Sequence, residues 1–155
     1  MKSHTGRLAD LPVLSGIPPG VPDPIKPELF AGKHETQLGR AVGLTQFGVN
    51  HVVLEPGMAS SLRHWHEGED EFVFVLRGTL TLVDENGEHR LAAGDFAGFP
   101  AGAPNAHHLI NRSDASAAFL AVGTRKTGRE TIHYPDDALR PTTVIRDAQG
   151  NRIAK

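Results

Sequence analysis

The run His64-Trp65-His66-Glu67-Gly68-Glu69-Asp70-Glu71-Phe72-Val73-Phe74-Val75-Leu76 decides how the rest of the chain reads. On a β-strand, side chains alternate between faces with a period of two, so His64 and His66 present their imidazoles on one side and Trp65 points to the other. The alternation Glu71, Val73, Val75 against Phe72, Phe74 predicts a second strand whose first inward residue is a carboxylate. Glu67, Glu69 and Asp70 are rival carboxylates, but they occupy the connection between the two strands. Imidazole with carboxylate and no thiolate is a donor set for zinc, iron(II), manganese or nickel, and the affinity order alone favours zinc over iron or manganese.

Moving outward, turn signals recur at short intervals. Glu55-Pro56-Gly57 closes a β-rich run that begins near Ala41, and Arg77-Gly78 links the Glu71–Leu76 strand to Thr79–Val83. Asp84-Glu85-Asn86-Gly87 carries the Asn-Gly dipeptide of a hairpin, with a return strand over His89–Leu91. Ala92-Ala93-Gly94-Asp95 and Pro100-Ala101-Gly102-Ala103-Pro104 bracket Phe96–Phe99. Strands are further expected over Ala106–Ile110, Ala117–Thr124 and, at an edge, Thr131–Tyr134. Eight to ten short strands without a long helix indicate an all-β antiparallel sandwich or barrel. The 17 glycines and 11 prolines in 155 residues fit that texture.

Residues 1–40 read as an extended Pro-rich N-terminal arm, residues 41–125 as the β-barrel, and residues 126–155 as a C-terminal extension packing on it. Pro12, Pro18, Pro19, Pro22, Pro24 and Pro27 prevent a helix or central strand from propagating through the arm. Its apolar residues, Leu11 to Phe30, are too many for a solvated linker. The arm is therefore expected to lie along the domain or against a second subunit, which makes a homodimer the expected assembly.

A net charge of -2 with no basic cluster excludes a nucleic-acid surface. The absence of cysteine excludes disulfides, thiolate nucleophiles and Cys-type metal sites. No apolar run reaches membrane-spanning length and the N-terminus lacks a secretory h-region, so the expected compartment is the cytoplasm.

The spacing also carries a family resemblance. Gly57, six residues, His64-Trp65-His66, four residues, Glu71, six residues, Gly78 closely resembles the first motif of the cupin superfamily, with one extra residue before the first histidine. Gly94, five residues, Pro100-Ala101-Gly102 resembles the start of the second motif. That motif would place its histidine at Asn105; counting back from Asn111 places it at His107, so two residues are inserted in the loop 103–106. The resemblance implies an antiparallel double-stranded β-helix, the cupin jelly-roll barrel. It also implies His64, His66, Glu71 and His107 as ligands of one divalent transition metal. His108 competes with His107, since alternation lets only one of an adjacent pair face inward.

What reacts there stays open. Compact single-domain cupins with a His-Trp-His motif and a segment like Tyr134-Pro135-Asp136 are described as sugar-phosphate isomerases, which implies a metal-dependent enzyme acting on a small polar metabolite. An iron-dependent dioxygenase and a non-catalytic small-ligand-binding module are the alternatives. No catalytic base stands out; His51 and Glu69 are the candidates. Arg63, Arg77 and Arg125 are the available cations for a phosphate. His4, His34, His89 and His133 read as surface residues.

Overall fold

The computed structural model describes residues 3–17, 27–136 and 142–153. Pro18, Pro19, Pro22 and Pro24 of the arm lie outside the described residues. Thirteen strands follow one another: β1 Leu14–Ser15, β2 Lys33–Gln37, β3 Phe47–Leu54, β4 Trp65–His66, β5 Glu71–Arg77, β6 Thr79–Asp84, β7 Gly87–Ala92, β8 Phe96–Phe99, β9 His108–Ile110, β10 Ala117–Thr124, β11 Gly128–His133, β12 Thr142–Arg146 and β13 Arg152–Ile153. The helical pieces are single turns, at Leu8–Asp10, Pro27–Leu29 and Leu38–Ala41.

Every pairing is antiparallel. The strands make a six-stranded sheet in the order β1-β2-β3-β10-β5-β8, a four-stranded sheet β13-β12-β11-β4, and a three-stranded sheet β7-β6-β9. This is the jelly-roll arrangement, divided among three sheets with no closed barrel among the described residues.

The six-stranded sheet changes chemistry along its inner face. Val52 and Leu54 on β3, Val73 and Val75 on β5, and Ala117 and Phe119 on β10 meet Leu80, Leu82 and Leu109 of the three-stranded sheet in one buried apolar cluster. Further along the same three strands the inward positions become Asn50, Glu71, Ala121 and Gly123, which line a cavity faced by residues of the four-stranded sheet. Each strand keeps its period of two throughout; only the residue types switch. The apolar half holds the sheets together, and the polar half is where a ligand can sit. A smaller cluster of Ile132, Tyr134 and Val144, with Leu62 against it, closes the far side.

Several strand expectations shift in detail. The strand expected at His64-Trp65-His66 is short, with only Trp65 and His66 in β4 and His64 held by an isolated bridge to His107. Of Thr131–Tyr134, expected at an edge, the first three residues belong to β11, which lies between β12 and β4, and Tyr134 follows it. At the hairpin Asp84 pairs with Gly87, so Glu85 and Asn86 are the two loop residues, with the Asn86 amide donating to the Asp84 carboxylate at 2.9 Å. The Pro-rich arm ends in a regular strand: β2 pairs with β3 over five residues, because no proline interrupts 33–37.

Candidate metal centre

The structure gathers His64, His66 and Glu71 into one group with ligand atoms within 4.8 Å of one another, and His107 joins it through the second Glu71 oxygen. Nε2 of His64 lies 3.4 Å from Oε1 of Glu71, Nε2 of His66 3.3 Å from the same oxygen, and Nε2 of His107 2.7 Å from Oε2. The four come from different directions. His66 is carried by β4, Glu71 opens β5 beside Gly123 of β10, and His107 reaches the cluster through its bridge to His64. Alternation resolves the adjacent pair: His107 faces inward and stacks on Phe99 with ring centroids 3.4 Å apart, whereas His108 turns its Nδ1 to the Ser61 carbonyl at 2.9 Å.

Two of the three imidazoles are held from behind by a hydrogen bond. Nδ1 of His64 lies 2.8 Å from the Leu62 carbonyl and Nδ1 of His107 lies 2.9 Å from the Asn105 carbonyl. A carbonyl only accepts, so Nδ1 carries the hydrogen in both rings and the Nε2 lone pair is aimed into the site, as metal-binding imidazoles require. His66 Nδ1 makes no hydrogen bond but faces the Glu130 carboxylate at 3.5 Å. Glu130 sits on β11, two residues before Ile132, the register partner of His66. Gly68 donates its amide to Glu130 at 3.1 Å, and a side chain at Gly68 would stand 2.6 Å from the other carboxylate oxygen. The donor set therefore fits a divalent metal: three oriented imidazoles, one carboxylate, and a carboxylate behind one of the rings.

The electrostatics agree. Burial alone would raise the Glu71 pKa, but the His64 charge and hydrogen bonds with His107, His64 and His66 hold it well below the usual carboxylate range. Burial would lower His64; the Glu71 charge and hydrogen bond, with the Leu62 carbonyl, outweigh it and raise the imidazole. Without a metal, the cluster is a carboxylate sharing protons with imidazoles. Protons and a metal compete for the same atoms.

The rival carboxylates have other partners. Glu67 pairs with His133 at 2.8 Å, Asp70 accepts the Ala101 amide at 2.7 Å, and Glu69 takes the Arg146 guanidinium at 2.8 and 3.3 Å. His66, Glu69 and Glu130 form a second buried group with ligand atoms within 4.8 Å of one another. Arg146 and the Gly68 amide already engage its two carboxylates, so it supports the first cluster.

The cluster opens into a cavity of about 680 Å³, within the size range of small-molecule sites. His51 is not on that cavity: Asn50 and Val52 face inward, so His51 faces out, and burial and the Arg77 charge lower its pKa. Among the expected cations, Arg63 is engaged by Glu85 at 2.7 Å and Asp136 at 2.9 Å, and Arg77 by Ser116. Arg125 does line the cavity. So do two groups that sequence reasoning missed, Lys33 on β2 and Tyr134 after β11. Burial lowers the Lys33 pKa against the opposing influence of Glu35, 3.6 Å away. Burial also raises Tyr134, whose ring lies 5.9 Å from that of His64. The alternation of Lys33, Glu35 and Gln37 was the available signal for β2.

The cupin domain family model matches residues 50–123. A sugar phosphate isomerase from a cupin superfamily of Silicibacter pomeroyi is 46% identical, with 93% of this chain and 87% of that chain covered and a TM-score of 0.81. A candidate sugar phosphate isomerase from Acidithiobacillus ferrooxidans is 32% identical over 82% of this chain and 76% of its own, with a TM-score of 0.69. The polyketide cyclase RemF of Streptomyces resistomycificus, 19% identical over 79% of this chain and 80% of that chain with a TM-score of 0.61, shares the fold alone. No curated protein matches.

Proposed function

The chain belongs to the cupin superfamily, and from that premise we propose that it is a metal-dependent enzyme isomerising a small sugar phosphate. The observation that carries this is the convergence of His64, His66 and His107 Nε2 on the Glu71 carboxylate, with His64, His66 and Glu71 lining a small-molecule cavity. Identity of 46% to a protein described as a sugar phosphate isomerase supports the reaction class.

In this reading the three imidazoles and Glu71 hold one divalent metal, zinc by affinity order. Bound there, the ion supplies Lewis-acid polarisation of a substrate carbonyl and its neighbouring hydroxyl. The protein's own residues do the rest. Tyr134, kept protonated by burial, donates a hydrogen bond to a substrate oxygen beside His64. Lys33, which lines the cavity and whose pKa burial lowers against its Glu35 partner, takes and returns the carbon-bound proton, in place of the outward-facing His51 and of Glu69, which Arg146 holds. The apolar half of the sandwich closes the floor and excludes water from behind the ligands.

The test is metal analysis of anaerobically purified protein, followed by proton–deuterium exchange into a panel of aldose and ketose phosphates monitored by NMR. Near-stoichiometric metal and exchange at the carbon next to the carbonyl are expected. Iron with oxygen uptake on catechols would move the protein to the dioxygenase reading, and ligand binding without turnover to the non-catalytic one. The homodimer belongs to the same proposal; gel filtration should give twice the chain mass, and a size unchanged by removing residues 1–16 counts against the arm as the interface.

A further inference from the structure

Of the four buried side-chain polar atoms without a hydrogen bond among the described residues, three belong to residues lining the main cavity: Asn50 Oδ1, His66 Nδ1 and Arg125 Nη1. The His66 atom faces Glu130. The other two lie across the six-stranded sheet from Glu71, Asn50 on β3 and Arg125 just past the end of β10, and both lack what a ligand could supply. A buried guanidinium N–H without an acceptor is costly, because the desolvation of a charged group is not repaid by a partner.

Arg125 is not a stray surface cation. It follows Gly123, the register partner of Glu71, by two residues, or about 7 Å of strand. Its guanidinium lies flat against Gly48 of β3, where a Cβ would stand 2.9 Å from both Nε and Nη2. Its stem lies against Gly150, where a Cβ would stand 2.8 Å from the Arg125 Cβ. Two glycines thus clear the space this one side chain occupies. The β12–β13 turn that supplies Gly150 also gathers two more arginines. Arg146 donates to the Gly150 carbonyl at 3.2 Å, and Arg40 donates to the Asn151 side-chain oxygen. Asp147 braces the turn by accepting from the Gln149 and Asn151 amides, each at 2.9 Å.

Charge completes the picture. Five basic side chains and three acidic ones line the cavity among the described residues. That leaves two positive charges in excess before any metal is counted. We propose that Arg125, flanked by Arg40 and Arg146 and carried on Gly48 and Gly150, is the subsite for the phosphoryl group of the substrate, with Asn50 receiving a substrate hydroxyl. This rests on the cavity being the reaction site. A phosphate monoester is close to a dianion at neutral pH, with a second pKa near 6, and its oxygens match the guanidinium fork. A substrate gripped there presents its carbonyl end to the histidine cluster.

The experiment uses full-length protein stripped of metal with a chelator, so that phosphate cannot bind through the ion. Inorganic phosphate is titrated calorimetrically into the wild type, Arg125→Gln, Arg125→Lys and Gly48→Ala, with malonate as the carboxylate control. Wild type should bind phosphate saturably, and Arg125→Gln should weaken it by at least about tenfold, the loss of a hydrogen-bonded charge. Arg125→Lys should fall between. Gly48→Ala should weaken binding several-fold while every charge stays in place, and it decides the matter if circular dichroism shows Arg125→Gln unfolded. Wild-type affinity in both Arg125→Gln and Gly48→Ala, no binding by metal-free wild type, or malonate binding as tightly as phosphate would each overturn the assignment. Metal content is read separately on the untreated protein. Phosphate binding that depends on Arg125 in a protein lacking metal upholds the subsite while removing the isomerase reading.

Discussion

Nδ1 of His66 and Oε1 of Glu130 lie 3.5 Å apart, both side chains buried, on two strands that pair directly. Glu130 belongs to β11, in the C-terminal extension, so a residue distant in sequence from the histidine motif stands behind one of its imidazoles. A carboxylate in that position orients the ring and raises the basicity of Nε2. Glu130→Leu should reduce metal affinity by about 10–100-fold, measured by competition with a chromophoric chelator. Glu130→Gln, which keeps an acceptor facing the ring, should lose less. Equal affinity in Glu130→Leu and wild type would show the ring needs no support from β11.

The cluster should also set the pH dependence. Glu71 is depressed below its ordinary 4.5, so its contribution to folding is present above that value and disappears as pH falls through the folded-state pKa. His64 is raised above its ordinary 6.5, so its contribution is complete below 6.5 and disappears as pH rises through the folded-state value. The metal-free protein should therefore gain most from this cluster between about pH 4.5 and 6.5. Metal binding displaces protons, so the melting-temperature difference between metal-loaded and metal-free protein should widen as pH climbs past the His64 titration. Glu71→Gln should flatten the metal-free profile. A loaded-minus-free difference that does not change with pH would contradict proton competition.

The adjacent histidines make a sharper pair. His107→Ala removes an Nε2 that lies 2.7 Å from Glu71, whereas His108→Ala removes a ring bonded to the Ser61 carbonyl. Elemental analysis should find metal lost or strongly reduced in the first and retained in the second. The reverse result would exchange their roles.

What was legible in the sequence followed from local periodicity. Glu71, Val73 and Val75 share the inner face as their alternation implies, and Phe72 points outward at 39% exposure. The spacing from His107 to Asn111 singles out the inward histidine despite the insertion. Asn105, at the position the motif reserves for the histidine, holds His107 through its carbonyl and ties the loop to the β6–β7 hairpin. What was not legible depends on pairing across the chain. Glu130 and Lys33 lie 64 and 38 residues from His66 and Glu71 by their numbers; alternation could have marked β2 as a strand, but nothing local ties either residue to the histidine cluster. Arg125 was visible as a cation, but only the approach of Gly48 and Gly150 distinguishes it from Arg63 and Arg77. His51 shows the converse, since residue type suggested a catalytic base and strand parity turns it outward.

Asn111, the last residue of the second motif, shows no exposure and lies outside the cavity lining. Its side-chain amide donates to the Leu54 and Ala115 carbonyls, each at 2.8 Å, and its oxygen accepts from the Ser113 amide and hydroxyl. It thus fastens the end of β3 to the 111–116 loop that feeds β10, two strands whose inner faces carry both core and cavity residues. Replacing it with Ala opens a polar hole and leaves carbonyls unpaired away from water. A loss of about 3 kcal/mol is expected, read as a lower denaturant midpoint with an unchanged slope. Metal stoichiometry in the folded fraction should remain intact, because the His107 carbonyl bridge to His64 and the Asn105 contact do not involve this side chain. If Asn111→Ala instead lost metal at full stability, the residue would belong to the site and not to the frame that carries it.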